Sequence, residues 1–415
     1  MKLLTSAARN YSWGSRTLIP TLLGEPEATS PVAELWFGAH PADPSTVDGE
    51  KLDEIIAADP QGQLGKRVVD TYGASLPFLL KILAAAEPLS LQAHPSKQQA
   101  EEGFARENAE GIELTAANRN YKDDNHKPEL IVALTEFYAM AGFRPLSQTR
   151  SLFAALDCEE LAHYEGMLDP DPAAEGDSLR ALFTTWITIP SAKRKELISA
   201  VVAAGEHLRE SQAGEPWMST VMGTVSKINE QYPGDIGVLG ALLLNHIVLQ
   251  PGEAIYLDAG QLHAYVSGLG VEIMANSDNV LRGGLTPKFV DVPELVKVLT
   301  YQAAEDPRVE QIAHADAAGK EAMGSITGAT AWAYPVPIEE FLLDRVELSG
   351  ADSAEVDSDG PMILLCTAGA ATVSNDEGES VDFSAGHAAW IPASDPAATI
   401  RAAETEGAEV FVARV

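Results

Sequence analysis

Cysteine is almost missing from this 415-residue chain: Cys158 and Cys366 stand far apart in unlike surroundings. Two such residues do not make a disulfide framework, and their scarcity fits a reducing cytoplasm. Long apolar runs are missing too. No stretch of about 18 uncharged apolar residues occurs, so no membrane-spanning helix is expected. The opening MKLLTSAARNYSWG lacks the apolar core of a secretory signal. No glycine-rich nucleotide loop is evident. Basic residues are few: 28 Lys and Arg against 61 Asp and Glu leave a formal charge of −33. That field repels nucleic acid and anionic membranes, so neither is an expected partner. It also sets a condition: a site for an anionic substrate must gather its own cations.

What is present is an ordinary globular composition, 46% hydrophobic, in a chain long enough for two or three domains. Strand-like and turn-rich segments dominate up to about residue 145, as in AELWFGAHPADPS (33–45) and HKPELIVALTEFYAMAGFRP (126–145). From 147 to 234 apolar residues recur at helical spacing with charged faces between them, which predicts a helical insertion ending at Pro233–Gly234. Strand texture returns at 240–279 and again after about 310, with DAAGKEAMGSITGAT (316–330) as a surface connection. The expected fold is mainly β with a helical insertion. Residues 1–146 and 235–310 form a discontinuous catalytic domain, 147–234 the insertion, and 311–415 a second β domain.

The chain echoes itself. PGEAIYLDAGQLHAY (251–265) lies over AGHAAWIPASDPAAT (385–399), with Gly252 on Gly386, Tyr256 on Trp390 and Leu257 on Ile391. His263 of the first copy falls on Ala397 of the second. The first copy therefore carries a candidate metal ligand that the second lacks. The Gly-strand-turn pattern resembles a half-motif of cupins, small double-stranded β-helix barrels. Gly260 permits the tight bend because it adopts positive φ cheaply, and the strand after it directs His263 inward.

Three separate segments offer ligands. In LSLQAHPS (89–96), Gln92 and His94 project from one face of a strand. YKDDNHKPEL (121–130) offers His126 and Glu129, and AGQLHAY offers His263. Two imidazoles, a carboxylate and an amide oxygen suit a divalent ion of the zinc kind, with a position left for water or substrate. Each residue read singly could equally be a satisfied structural group.

Taken together, YSWGS, AELWFGAHP, LPFLLKILAAAEPLSLQAHPSK, YKDDNHKPEL, FYAMAGFRP, DAGQLHAY and NSDNVLRGGLTPK resemble, in order, the motifs of type I mannose-6-phosphate isomerase, also called phosphomannose isomerase. The resemblance covers residues 1–145 and 235–300 well and the rest in outline. It implies a cupin-type catalytic barrel, a metal-free cupin-like C-terminal domain, and one zinc ion per chain, other divalent metals being alternatives. The metal ligands it implies are Gln92, His94, Glu129 and His263, with His126 in support and Arg282 as the catalytic arginine. Ser90, Lys81, Lys127, Tyr265 and Glu272 would line the pocket, joined by Asp278 and Lys288.

The implied reaction interconverts mannose 6-phosphate and fructose 6-phosphate through a cis-enediol, within mannose metabolism and GDP-mannose supply. The expected partner is a small sugar phosphate, and the expected state a monomer. Such a site needs a base, stabilisation of a developing oxyanion and a grip on the phosphate. The base stays open among Glu272, Asp278, a lysine of depressed pKa and a metal-held water or histidine relay. Arg282 has a structural alternative, an ion pair with Asp278 or Glu272. Two rival functions remain at this level: a metal-dependent oxygenase on the same barrel, and a sugar-binding protein without turnover.

Overall fold

The computed structural model describes residues 1–304, 306–314, 325–395, 397–403 and 407–415. Among these, two antiparallel sheets of 11 strands each carry the architecture. The first is organised by one long strand, His263–Ala275. Its start pairs with Leu91–Ala93 and Phe137–Phe143, and its second half with Phe78–Ala85 and Glu129–Ala133. The register slips between Tyr265 and Ser267, so the strand turns from one half of the sheet to the other. Segments distant in sequence thereby meet around its first residues.

The strand Phe78–Ala85 is buried along its whole length, which explains its near-continuous apolar sequence. Its one charge, Lys81, lies in register with Glu272 on one neighbouring strand and Trp36 on the other. Across the sheet, the interior is packed by Leu83, Ile131, Phe137, Leu257 and Tyr265 among others. A larger core, containing Phe37, Phe78, Val271, Ile363, Trp390 and Phe411, joins the outer faces of the two sheets.

The second sheet repeats the pairing of the first. Ala254–Leu257 and Ala388–Ile391 are strands at the same offset, each preceded by a left-handed glycine, Gly252 (φ 88°) and Gly386 (φ 80°). Each pairs with the strand beside it in equivalent order: Ala254–Leu257 with Glu129–Ala133, and Ala388–Ile391 with Met362–Ser374. The sequence echo thus has a counterpart in three dimensions. The second interior is filled by Val346, Val356, Leu364, Val373, Ile400 and Val410.

The helical segment packs Leu152, Phe153, Leu182, Trp186, Val201, Met222 and Val225 into a core that it shares with Leu91, Met140, Phe143 and Leu262 of the first-sheet region. A short helix, Ile236–Ala241, follows the turn at Pro233–Gly234. Phe143 stacks against Tyr301 and meets Phe183 edge-on, which ties the insertion to the first sheet. The first 145 residues hold helices that the strand reading misses: Leu52–Ala58, Pro60–Tyr72 and Lys97–Ala109. The last starts on a capping box between Ser96 and Gln99, a signal written in HPSKQQ. Lys2–Leu4 pairs with the second sheet, not the first. Of the expected connection 316–330, residues 316–324 lie outside those described, while Ser325–Thr327 is a strand of the second sheet.

Candidate metal centre and cavity

Strand register builds the site. Gln92 lies opposite His263 on one side and Arg282 on the other, so three polar side chains form a row across adjacent strands. His94 follows directly after the strand Leu91–Ala93, and Glu129 opens the strand Glu129–Ala133.

Ligand atoms of His94, Glu129 and His263, all three buried, lie within 4.8 Å of one another. Each imidazole bonds a backbone carbonyl through Nδ1: His94 to Asn279 at 2.7 Å and His263 to Gln261 at 2.9 Å. Those bonds place the proton on Nδ1 and leave the Nε2 lone pairs facing inward. The two Nε2 atoms sit 3.4 Å from Glu129 Oε1 and Oε2 respectively. Neither Nε2, nor Glu129 Oε2, has a hydrogen-bond partner. Three buried acceptors that converge without a donor repel one another, and a cation is the group that resolves this. The donor set therefore fits a zinc-type ion, with Gln92 beside it in register and free of side-chain hydrogen bonds among the described residues.

Burial pushes His94 down to about 4, against the pull of Glu129, so its imidazole is neutral at neutral pH. Burial alone would raise Glu129. Lys127, 3.0 Å away, reverses this and holds it well below the ordinary carboxylate range. Both residues are thus in the protonation states that bind a metal.

Above the cluster opens a cavity of about 520 Å³, a size suited to a small ligand. It is lined by Ser90, Lys81, Lys127, Tyr265, Glu272, Asp278, Arg282 and Lys288, with Gln92 and Glu129 in its floor. Every pocket residue expected from the sequence is there. On one wall Glu272 accepts from Lys81 Nζ and from Tyr265 Oη, both at 2.8 Å. Burial pulls the Lys81 ammonium down, but Glu272, Glu34 and Glu129 outweigh it and keep it above its usual value. Lys81 is therefore not the lysine of depressed pKa considered as a base. Burial, helped by Glu129 and Glu34, holds Glu272 above the usual carboxylate range despite Lys81. Three carboxylates crowd one ammonium, so protons are favoured on both partners.

Arg282 makes no ion pair with Asp278 or Glu272, nor any side-chain hydrogen bond, among the described residues. The structural alternative is not realised. Burial lowers its guanidinium, and burial with repulsion from Arg282 and Lys122 lowers Lys288. These cations form the local positive patch that the overall acidity made necessary. His126 is turned away and pairs with Glu340.

Sequence reasoning missed several lining residues. Lys122 lies within YKDDNHKPEL, but a surface lysine carries no signal of its own. Glu34, Trp36 and His40 lie within AELWFGAHP, where a carboxylate and an imidazole between apolar neighbours were the available hint. Tyr232 reaches the cavity from the end of the helical segment.

Comparison with known proteins agrees with this construction. Residues 1–146 match the phosphomannose isomerase type I catalytic domain, and 154–244 the helical insertion domain of the same family. Mannose-6-phosphate isomerase of Escherichia coli K12 is 38% identical over 407 residues, covering 97% of each chain. Mannose-6-phosphate isomerase 1 of Arabidopsis thaliana is 33% identical over 416 residues, covering 95% of this chain and 89% of its own. The crystal structure of the Salmonella typhimurium enzyme bound to fructose 6-phosphate and zinc superposes with a TM-score of 0.84 at 35% identity, covering 100% of this chain and 99% of the other. A full-length match at this identity, on a chain whose lone pairs and cations meet in one cavity, makes this protein a member of the type I phosphomannose isomerase family.

Proposed function

We propose that the chain is a zinc-dependent isomerase interconverting mannose 6-phosphate and fructose 6-phosphate, and that Gln92, His94, Glu129 and His263 hold its metal. The observation that carries this is the convergence of three buried, unpartnered ligand atoms beneath a cavity rimmed by Arg282, Lys122 and Lys288. When bound, the zinc ion supplies Lewis-acid polarisation of sugar oxygens.

The side chains do the rest. Arg282 and Lys288 face the cavity and neutralise a dianionic phosphate or a developing oxyanion. Lys127 keeps Glu129 ionised. Lys81, Glu272 and Tyr265 form a buried proton-sharing chain beside the sugar hydroxyls. The proton shift between C1 and C2 needs a base with a free lone pair facing the open space, and among the candidates we take the carboxylates first. Four carboxylates line the cavity. Glu272 is bound at both oxygens, Glu34 accepts from Trp36 Nε1, and Glu129 faces the metal-ligand imidazoles. Asp278 keeps both oxygens free, 3.7 Å from His40 Nε2 at the nearest, while its backbone N–H is held by Asp123. We assign it the base.

The finer architecture follows the same reading. Residues 1–146 with 235–310 form a cupin-type double-stranded β-helix catalytic domain, 147–234 the helical insertion, and 311–415 a cupin-like domain. The last is read as metal-free, and its described core is built on Val346, Leu364, Val373 and Val410. Arg308–Val309 pairs in the first sheet and Ile312–Ala313 in the second, which supports the division near 310. No helix among the described residues is long and apolar enough to cross a membrane. Both cysteines are free, in keeping with a reducing cytoplasm, and the monomeric state stays part of the proposal.

A coupled assay with mannose 6-phosphate, before and after chelation and again after adding zinc, tests the function. Activity lost on chelation and regained with zinc is expected; turnover indifferent to chelation would overturn the metal-dependent reading.

A further inference from the structure

We infer that Asp235 is a positioning residue of the substrate cavity: its carboxylate holds Leu285 in a left-handed backbone conformation and so sets the rim loop from Leu285 to Lys288. The inference rests on the proposed reading of that rim as the grip on an anionic substrate.

Four non-glycine residues among those described have positive φ: Asp48, Asp157, Gln212 and Leu285. Leu285 is the aliphatic one, at φ 55°, and it is buried. A leucine populates this region roughly 5–30-fold less than the right-handed one, so something must hold it there. Asp235 Oδ1 does so, accepting the Leu285 N–H at 2.7 Å while also accepting the Gly237 N–H at 2.7 Å. Asp235 is itself placed by a bond from its N–H to the Tyr232 carbonyl. The contact is close on both sides. A Cβ on Gly284 would lie 2.6 Å from the Gly237 nitrogen, and one on Gly237 would lie 2.6 Å from Leu285 Cγ. The helix Ile236–Ala241 behind it is buried, so the anchor is rigid.

The strut has a direct address. Leu285, Thr286, Pro287 and Lys288 all line the cavity, and so does Tyr232 at the start of the same turn. One Tyr-Pro-Gly-Asp turn therefore contributes a wall and pins the rim loop. Without the carboxylate, Leu285 relaxes toward negative φ and the loop carrying Lys288 turns away. Such a change weakens substrate binding more than it slows a bound substrate.

The test uses the zinc-loaded full chain. Asp235→Ala should raise KM for mannose 6-phosphate about tenfold, with kcat within about threefold and zinc content unchanged. Asp235→Asn, which keeps an acceptor oxygen, should recover most of that loss. Asp235→Ala combined with Leu285→Gly should also recover it, because glycine needs no strut to adopt positive φ. KM within twofold of the parent in Asp235→Ala, or a raised KM that Leu285→Gly leaves untouched, would reduce Asp235 to a helix cap and overturn the inference. If Asp235→Ala does not fold, Gly237→Ala keeps the cap and pushes on Leu285; an unchanged KM there overturns it equally. Lys288→Ala separates the two readings. A silent Lys288→Ala beside a raised KM in Asp235→Ala keeps the strut and removes Lys288 from the grip. The reverse pattern removes the strut.

Discussion

Gln92 and His263 face each other across adjacent antiparallel strands, 171 positions apart in the chain. The pairing puts an amide beside an imidazole whose Nε2 has no hydrogen-bond partner. Arg282 sits in register on the other side of the same glutamine. The proposed metal ligands and the proposed charge-stabilising arginine are thus carried by one short strand and its two neighbours, a rigid mounting for a site that needs fixed geometry.

His263→Ala removes one of the four proposed ligands and leaves Gln92, His94 and Glu129. Zinc content and turnover should fall together, read by elemental analysis and the coupled assay on the same samples. Full zinc occupancy with turnover lost would take His263 out of the ligand set.

Arg282→Ala should keep zinc while turnover drops by about 10²-fold or more, the scale for losing a preorganised donor to developing charge. Arg282→Lys should recover only part, since an ammonium lacks the planar fork of donors. Turnover equal to the parent enzyme in the alanine variant would exclude Arg282 from the chemistry.

Asn279 is fully buried, and its side chain donates to Asp123 and to the Asn125 carbonyl while accepting the Lys122 N–H. Its own carbonyl orients His94. Asn279→Ala should weaken zinc binding by about 10–100-fold, as loss of an orienting partner does. A competition titration with a chelator measures this, and an affinity equal to the parent would separate the segment from the metal site.

His246 bonds the Ala241 carbonyl through Nε2, and burial, with repulsion from Arg144, pushes it down to about 3. The unfolded chain takes up this proton near pH 6.5 and the folded chain only near 3, so the unfolded state binds more protons between them. Stability is full above about pH 6.5 and falls as pH drops through that window, by on the order of 1.4 kcal/mol per unit. His246→Gln should flatten denaturation midpoints between pH 6 and 4. An unchanged slope would show that His246 does not carry the acid sensitivity.

Much was legible in one dimension. Glu129 stood out because a carboxylate beside an apolar strand needs a cation or donors, whereas Lys81 came from the resemblance alone; in the structure both have a partner. The 251–265 and 385–399 echo was readable because a left-handed glycine before a short strand leaves a spelled pattern. The helices Leu52–Ala58 and Pro60–Tyr72 were hidden among turn-rich neighbours, although an acidic first turn and a proline at the first helical position mark their starts. Lys122 and Tyr232 were out of reach, since their function comes from where other segments place them.

The sequence by itself determined the mainly β organisation, the helical insertion, the acidic field and the kinds of donor the site would use. These depend on side-chain type and short periodicity, which a chain carries locally. Only the tertiary structure decided that Arg282 stands free of Asp278 and Glu272, that Asp278 keeps its oxygens open, and that Asp235 reaches Leu285. Those are distances between residues brought together by strand register and core packing, and no local pattern encodes a distance.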